Sequence, residues 1–202
     1  MIYSISKFIF FVLCKLFFGV TAEGVEHIPK KSGFILASNH VSYLDPALVG
    51  IFCSKRLSFM ARESLFENPV LGWWCSAVGV IPIKRNTADL SALKEAMRRL
   101  KNGEGIVLFP EGTRQHNGGS FGKPLAGVGF LAEKLGSPVV PVYVQGSENA
   151  APKGTKLFRI TKISVYYGKP FYVKEGMEHQ QAADLIMGEI KQLAALHQQK
   201  VQ

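Results

Sequence analysis

Short apolar runs that end in polar residues are the strongest constraint on how this chain folds. Residues 33–37 read Gly-Phe-Ile-Leu-Ala, and residues 105–109 read Gly-Ile-Val-Leu-Phe, without alternation of apolar and polar side chains. Such runs are typical of short strands that are buried on both faces. Helical segments separate them, and strands that alternate with helices indicate a layered α/β fold. We therefore predict a mixed, largely parallel sheet flanked by helices.

The other elements are predicted from hydrophobic periodicity and turn residues. Apolar residues at helical spacing predict an amphipathic helix over residues 87–101, which Gly103 ends. Further helices are predicted over residues 46–52, 64–77, 127–132 and 178–199, and strands over residues 57–61, 139–144 and 160–167. Segment 64–77 is rich in apolar and aromatic residues. Both core packing and a membrane-facing surface remain open for its tryptophans, Trp73 and Trp74.

A histidine and an aspartate follow the first buried strand. Residues 38–46 read Ser-Asn-His-Val-Ser-Tyr-Leu-Asp-Pro, and Asp45 with Pro46 is a typical helix start. Open α/β sheets bind ligands beyond the carboxyl ends of their strands, where His40 lies. Asp45 can reach back to one ring nitrogen of His40 and leave the other free to accept a proton. A histidine in a stabilised turn beside an unrelated helix cap explains these residues equally well.

The second buried strand also ends in titratable residues. Residues 110–114 read Pro-Glu-Gly-Thr-Arg, which places a carboxylate and a guanidinium directly after the strand. Pro-Glu-Gly is also ordinary turn chemistry, so this segment alone is weak evidence of a site. Two such strand ends in one small α/β domain favour a functional site at one edge of the sheet.

Together these segments resemble the glycerolipid acyltransferase family. The resemblance covers residues 24–167 and rests on four blocks in family order. These are a His-x4-Asp block at His40, an apolar strand ending in Arg at residues 79–85, Phe-Pro-Glu-Gly-Thr-Arg at residues 109–114, and an apolar, proline-containing strand at residues 139–143. Each block alone is modest, but four in order make the resemblance specific.

The resemblance implies transfer of an acyl group from acyl-CoA or acyl carrier protein to the hydroxyl of 1-acyl-glycerol-3-phosphate, giving phosphatidic acid. It implies His40 as the general base and Asp45 as the residue that orients and polarises it. It implies no metal, no cofactor and no serine or cysteine nucleophile. The implied acceptor-binding residues, whose two arginines are suited to a phosphate, are Arg85, Glu111, Gly112, Thr113 and Arg114.

Two features depart from the family pattern. Lys84 stands where many relatives carry an acidic residue, and residues 115–122 form a glycine-rich loop. Both border the implied phosphate pocket. Another lysophospholipid or glycerol 3-phosphate therefore stays open as the acceptor, and so does a non-catalytic, lipid-binding role.

The net charge of the chain limits the classes of partner that we expect it to bind. Lys and Arg outnumber Asp and Glu by 24 to 15, a net charge of +9. A basic balance can indicate nucleic acid, an anionic membrane or an acidic partner. The chain lacks a nucleic-acid recognition motif, so we expect no nucleic acid partner but an anionic membrane surface and an acidic thioester donor. The cysteines lie in apolar segments without metal-ligand spacing and are predicted to be reduced, in the core or facing the membrane, in a cytosolic setting.

The N-terminal segment is apolar but interrupted. Residues 8–13 and 16–18 are apolar apart from Lys15 between them, which is short of the ~20 residues that span a bilayer. The pattern is typical of an interfacial or half-inserted helix whose lysines reach the headgroups. We predict residues 1–22 as a helix that anchors the chain to the cytoplasmic face of the cell membrane, and residues 23–202 as the acyltransferase domain. A signal peptide cleaved after Ala22 is the alternative.

Overall fold

A sheet of seven strands runs through the residues described by the computed structural model, which are 1–84, 89–115, 121–150 and 159–198. The strands are β1 (Thr21–Glu23), β2 (Phe34–Ser38), β3 (Leu57–Arg62), β4 (Ile81–Ile83), β5 (Gly105–Leu108), β6 (Val139–Gln145) and β7 (Ser164–Tyr167). Their order across the sheet is β1-β7-β6-β2-β5-β3-β4. Neighbours run parallel except the antiparallel pair β6 and β7. The predicted mixed, largely parallel sheet is confirmed.

Helices cover both faces of this sheet. They are α1 (Ile2–Phe18), α2 (Asp45–Ile51), α3 (Pro69–Val78), α4 (Leu90–Lys101), α5 (Ala126–Leu135), α6 (Ser147–Ala150) and α7 (His179–Gln198). One buried apolar cluster joins one face of the sheet to α1 and α2. A second cluster joins the opposite face to α4, α5 and α7. The fold is therefore the predicted α/β sandwich of helix, sheet and helix layers.

Strand β2 shows why an apolar run becomes a central strand. All of its residues are buried, and it pairs with β5 on one side and β6 on the other. Successive side chains of a strand point to opposite faces. Phe34 and Leu36 accordingly join the cluster beside α1 and α2, and Ile35 and Ala37 join the other cluster. A strand covered on both faces has no solvent-facing side, so polar alternation is absent.

The amphipathic helix α4 begins later than its apolar pattern predicted. It starts at Leu90 instead of residue 87, because Asp89 caps it and accepts a hydrogen bond from the N–H of Ala92. Hydrogen bonds from the Ser91 hydroxyl and from backbone N–H groups lower the pKa of Asp89 to about 2. The cap therefore stays ionised across the neutral pH range.

Residues 64–77 divide into two elements where one partly helical segment was predicted. A 3-10 turn covers Glu63–Phe66, and α3 starts after Asn68. The side-chain oxygen of Asn68 accepts hydrogen bonds from the N–H groups of Val70 and Leu71. Pro69 occupies the first helical position, where its missing N–H costs nothing. Cap and proline together fix the helix start.

The N-terminal helix is shorter than the predicted segment 1–22. Helix α1 ends at Phe18, and Gly19 closes it with a φ of 49°. Residues 21–23 form β1, which pairs in parallel with β7, so the end of the predicted anchor belongs to the sheet. Within the described ranges, no helix combines the length and apolar character needed to cross a membrane.

The three cysteines, Cys14, Cys53 and Cys75, are buried free thiols. Burial raises the pKa of each thiol. The thiolate is the reactive form of cysteine, so these side chains are unreactive parts of the core. Of the two settings predicted for them, core and membrane-facing, the structure shows the core.

Candidate active site

Three neighbouring parallel strands bring the predicted site residues to one edge of the sheet. Ala37 of β2 lies opposite Leu108 of β5 on one side and Pro141 of β6 on the other. The carboxyl ends of β2, β5 and β6 therefore meet. His40 follows β2, and Glu111 follows β5. This is the edge at which open α/β sheets bind their ligands.

His40 and Asp45 form a direct pair. The Nδ1 atom of His40 lies 2.9 Å from Oδ2 of Asp45. A carboxylate only accepts hydrogen bonds, so Nδ1 carries the proton and Nε2 is the nitrogen that can take one. The imidazole retains 17% exposure, whereas the Asp45 side chain is fully buried. The pair therefore combines an imidazole that solvent can reach with a shielded carboxylate.

Asp45 accepts hydrogen bonds from four donors. Its Oδ2 also accepts from the N–H groups of Val41 and Ser42, each at 2.7 Å, and its Oδ1 accepts from the Ser147 hydroxyl at 2.6 Å. The predicted helix start at Asp45 and Pro46 is confirmed, since α2 begins at Asp45 and Leu44 occupies the N-cap position. The carboxylate turns back over the preceding turn, where it both stabilises that turn and orients His40.

Phe109 fixes the plane of the imidazole. The rings of His40 and Phe109 stack with centroids 4.1 Å apart and planes inclined by 23°. Stacking and the Asp45 hydrogen bond constrain the ring in two directions. Sequence reasoning assigned Phe109 only to the apolar strand and the family block, because nothing in an apolar run marks which side chain faces the site.

Glu111 joins the ends of β2 and β5. Its Oε2 accepts from the N–H of His40 at 3.0 Å, and its Oε1 accepts from the N–H of Gly122 at 2.9 Å. The N–H of Gln115 in turn donates to the carbonyl of His40 at 2.7 Å. Burial raises the pKa of Glu111, and its two N–H donors oppose that shift. Both carboxylate oxygens thus contact the backbone, at His40 and at Gly122, and a contact with the acceptor stays a prediction.

Arg114 lies over an aromatic ring. Its Cζ atom is 3.4 Å from the centroid of the Tyr43 ring, which is 73% exposed. A guanidinium that stacks through its face keeps its N–H groups in the plane, where they can meet a phosphate. Tyr43 stands inside the His-x4-Asp block, but sequence reasoning gave it no role. The contact that Tyr43 makes depends on Arg114, which lies 71 positions further along the chain.

Three further residues were predicted to bind the acceptor: Gly112, Thr113 and Arg85. Gly112 has a φ of +63°, and a Cβ there would lie 2.4 Å from the Leu125 side chain, so glycine is required at this turn. Thr113 is exposed beside it. Arg85 lies outside the described residues, as does most of the predicted glycine-rich loop.

Asn39 ties the end of β2 to β6. Its amide nitrogen donates to the Val144 carbonyl at 3.0 Å, and its side-chain oxygen accepts from the Val144 N–H at 2.8 Å. The side chain thereby continues the ladder where the backbone of β2 turns away.

In the described ranges, no group of three His, Cys, Asp or Glu side chains is placed to hold a metal ion.

A family of known proteins matches more than half of this chain. The acyltransferase family model matches residues 19–145, which contain the His40–Asp45 pair and the Glu111–Arg114 segment. The chain belongs to the acyltransferase family. The resemblance found from four sequence blocks is thereby confirmed.

Relatives in the family have named activities. The chain is 33% identical over 162 residues to the chloroplastic 1-acyl-sn-glycerol-3-phosphate acyltransferase LPAT1 of Arabidopsis thaliana, covering 77% of this chain and 44% of that protein. It is 29% identical over 163 residues to the 1-acyl-sn-glycerol-3-phosphate acyltransferase of Bacillus subtilis, covering 80% of this chain and 78% of that protein. The chain thus spans less than half of the plant relative's length and most of the bacterial one's.

A solved structure in the family has the same architecture. The crystal structure of the 1-acyl-sn-glycerophosphate (LPA) acyltransferase PlsC from Thermotoga maritima aligns with a TM-score of 0.72 and 28% identity. The alignment covers 95% of this chain and 78% of that chain. The fold is therefore shared along almost the whole chain.

Proposed function

We propose that this chain transfers a fatty acyl group from a thioester to the free hydroxyl of 1-acyl-glycerol-3-phosphate, which gives phosphatidic acid. The observation that carries the proposal is the 2.9 Å contact between His40 and Asp45 at the carboxyl edge of β2. Relatives named for this activity, including the Bacillus subtilis protein, support the choice of acceptor. Acyl-CoA or acyl carrier protein is the proposed donor, since both are acidic and the chain carries a net charge of +9.

The proposed reaction proceeds without an acyl-enzyme. Nε2 of His40 takes the proton of the acceptor hydroxyl as its oxygen attacks the thioester carbonyl carbon. The C–O bond forms, the C–S bond breaks, and the thiolate leaves with the proton returned by the imidazolium. The buried Asp45 carboxylate stabilises the imidazolium while the proton resides there. Protons and electrons balance with no further reactant.

Arg114 is the proposed phosphate ligand among the described residues, and Arg85 is proposed to share this role. In a thioester-release assay, 1-acyl-glycerol-3-phosphate should be preferred over glycerol 3-phosphate and lysophosphatidylethanolamine. Arg114→Ala should raise the KM for this acceptor about tenfold or more and leave the KM for the donor unchanged, because it removes a charge-assisted contact to one substrate. Arg114→Lys should recover only part, since an ammonium lacks the planar fork.

A matched arginine controls this experiment. Arg98 is exposed on α4, whose last turn leads into the opposite edge of the sheet, so Arg98→Ala should change neither KM. Equal effects of Arg114→Ala on both substrates would mean that Arg114 supports the structure. Absence of thioester release with all three acceptors would contradict the proposed reaction itself.

The membrane site is proposed to be an apolar surface formed by α1 and α3. Seven large apolar side chains of these two helices are strongly exposed: Ile5, Phe8, Ile9, Leu16, Phe17, Val70 and Trp73. The two helices pack together, with the rings of Phe10 and Trp74 6.3 Å apart and Nε1 of Trp74 donating to the Ser6 hydroxyl. The two tryptophans therefore have different environments. Trp74 packs on α1, whereas Trp73 is 62% exposed. We call these exposed residues the α1–α3 apolar face and propose that it enters the cytoplasmic leaflet.

Helix α1 is proposed to be retained in the working protein. Cys14, Phe18 and Val20 are buried in the core cluster, so cleavage after Ala22 would strip the sheet of part of its packing. Deleting residues 1–20 would do the same. The membrane site is therefore best tested by point substitutions on its exposed side.

The double variant Phe8→Ser/Trp73→Ser should lose binding to vesicles that contain anionic phospholipid. Burying a large apolar side chain contributes about 1.5–3 kcal/mol, so each change should weaken partitioning by about tenfold or more. Vesicle sedimentation measures this, and binding of the wild type should persist at high salt because apolar burial is not screened. Leu196→Ser is the control, since Leu196 is equally exposed but lies on α7. Unchanged sedimentation of the double variant would refute this surface as the membrane site.

A further inference from the structure

Ser147 is a buried serine whose hydroxyl contacts the proposed catalytic pair. It follows β6 directly after Gly146, is fully buried, and donates to Oδ1 of Asp45 at 2.6 Å. The family match ends at Gln145, two positions earlier, so Ser147 lies outside the blocks that define the family. We propose that Ser147 is a positioning residue that holds the Asp45 carboxylate in register with His40. This inference rests on the proposed function, in which His40 is the base.

The two oxygens of Asp45 are held from different parts of the fold. Oδ2 takes its three donors, His40, Val41 and Ser42, from the turn that immediately precedes Asp45. The Ser147 donor to Oδ1 comes from 102 residues away along the chain. Rotation about the Cβ–Cγ bond moves both oxygens, so a donor at either oxygen opposes it. The short hydrogen bond from Ser147 adds a restraint from the end of β6 to those of the turn, and so helps to fix the direction from which Oδ2 meets Nδ1.

The backbone around Ser147 is itself constrained. Gly146 has a φ of +88°, and a Cβ at this position would lie 2.4 Å from the Lys162 carbonyl oxygen. Only glycine fits this turn without displacing the neighbouring chain. Upstream, the side chain of Asn39 pairs with the backbone of Val144. The position of Ser147 relative to Asp45 is therefore set by the pairing of β6 with β2. A serine on a flexible loop would not be held at a fixed distance in this way.

The role of the hydroxyl fits the chemistry proposed for the pair. When His40 takes the acceptor proton, the charge on the imidazolium is balanced by the Asp45 carboxylate in a buried setting. A carboxylate that is already oriented needs no rearrangement at that moment. Without the Ser147 donor, Oδ1 becomes a buried acceptor without its hydrogen bond, and the carboxylate is held by the donors of the turn alone. The rate of the proton transfer should fall, and substrate binding should not.

The test is Ser147→Ala in the full-length protein. We expect kcat to fall about tenfold or more, with the KM values for 1-acyl-glycerol-3-phosphate and for the acyl donor unchanged. The Nδ1–H resonance of His40, assigned by its loss in His40→Ala, should shift or broaden in the variant. Ser147→Cys places a weaker and somewhat larger donor at the same position, so its kcat should lie between those of the wild type and Ser147→Ala.

Ser58→Ala is the matched control. Ser58 is also fully buried, and its hydroxyl accepts from Nη1 of Arg99 at 2.6 Å. Ser58→Ala should lower the unfolding temperature about as much as Ser147→Ala does. It should leave kcat and the His40 resonance unaltered.

The outcomes separate the two proposals. Unchanged kcat in Ser147→Ala, with an active wild type and an inactive His40→Ala, overturns the positioning role and leaves the proposed function standing. Loss of activity with an unchanged His40 resonance in both Ser147 variants would mark a structural role only and would likewise overturn it. If His40→Ala stays active, the base assignment fails whatever Ser147 does.

Discussion

Replacing His40 by alanine is expected to lower kcat by about 100- to 10,000-fold, the range that general base catalysis supplies. The His40 ring is held by Asp45 at 2.9 Å and by Phe109 at 4.1 Å between centroids, at the carboxyl edge of the sheet. Single-turnover thioester release with 1-acyl-glycerol-3-phosphate measures the effect. A variant that kept more than about a tenth of the wild-type rate would show that another group takes the proton.

A second histidine provides the control. His179 lies at the start of α7, where it contacts the ring of Phe130 edge-on and faces Glu133. His179→Ala should leave kcat within about twofold, because surface substitutions away from a site change little. A similar loss in both variants would point to a general effect on folding.

Asp45→Asn is expected to lower kcat by about 100-fold or more while the protein stays folded. The amide oxygen can keep the three donors of Oδ2, and its NH₂ group can donate to the Ser147 hydroxyl, which both donates and accepts. The hydrogen bonds are thus conserved, and the negative charge that stabilises the imidazolium is lost. The measurements are kcat and the unfolding temperature.

Asp45→Ala separates charge from structure. It leaves four donors around a buried site without their acceptor, so the free energy of unfolding should fall by roughly 3 kcal/mol or more. If the asparagine variant unfolded as readily as the alanine variant, the carboxylate would be a structural element of the turn. If the asparagine variant kept most of its activity, the charge on Asp45 would not contribute to the reaction.

The part of the site that could be predicted is the part that is local in sequence. His40 and Asp45 are five positions apart in one turn, so residue spacing alone indicated their contact, and a family pattern supported it. The strands were predictable for a related reason, because burial on both faces removes the polar alternation of β2 and β5.

The unpredicted part depends on which strands are neighbours. Ser147 reaches Asp45, and Asn39 reaches Val144, only because β6 lies beside β2. Residue patterns report which segments are strands but carry no strand order. Glu111 illustrates the same difficulty, because a carboxylate at a strand end is expected to meet ligand, whereas its two oxygens hold the backbone of His40 and Gly122.

The packing of α1 has a consequence for how the proposed site meets its substrate. Phe11 of α1 lies edge-on against Phe52, next to the end of α2, and the ammonium of Lys7 donates to the Cys53 carbonyl. Helix α2 begins at Asp45, so the same apolar cluster packs α1 against the helix that carries Asp45 of the His40–Asp45 pair. For a protein that sits on a bilayer through the α1–α3 apolar face, the height of the imidazole above the lipid is then a constant of the fold. A lysophospholipid need not leave its leaflet to react, provided that its free hydroxyl rises to that height.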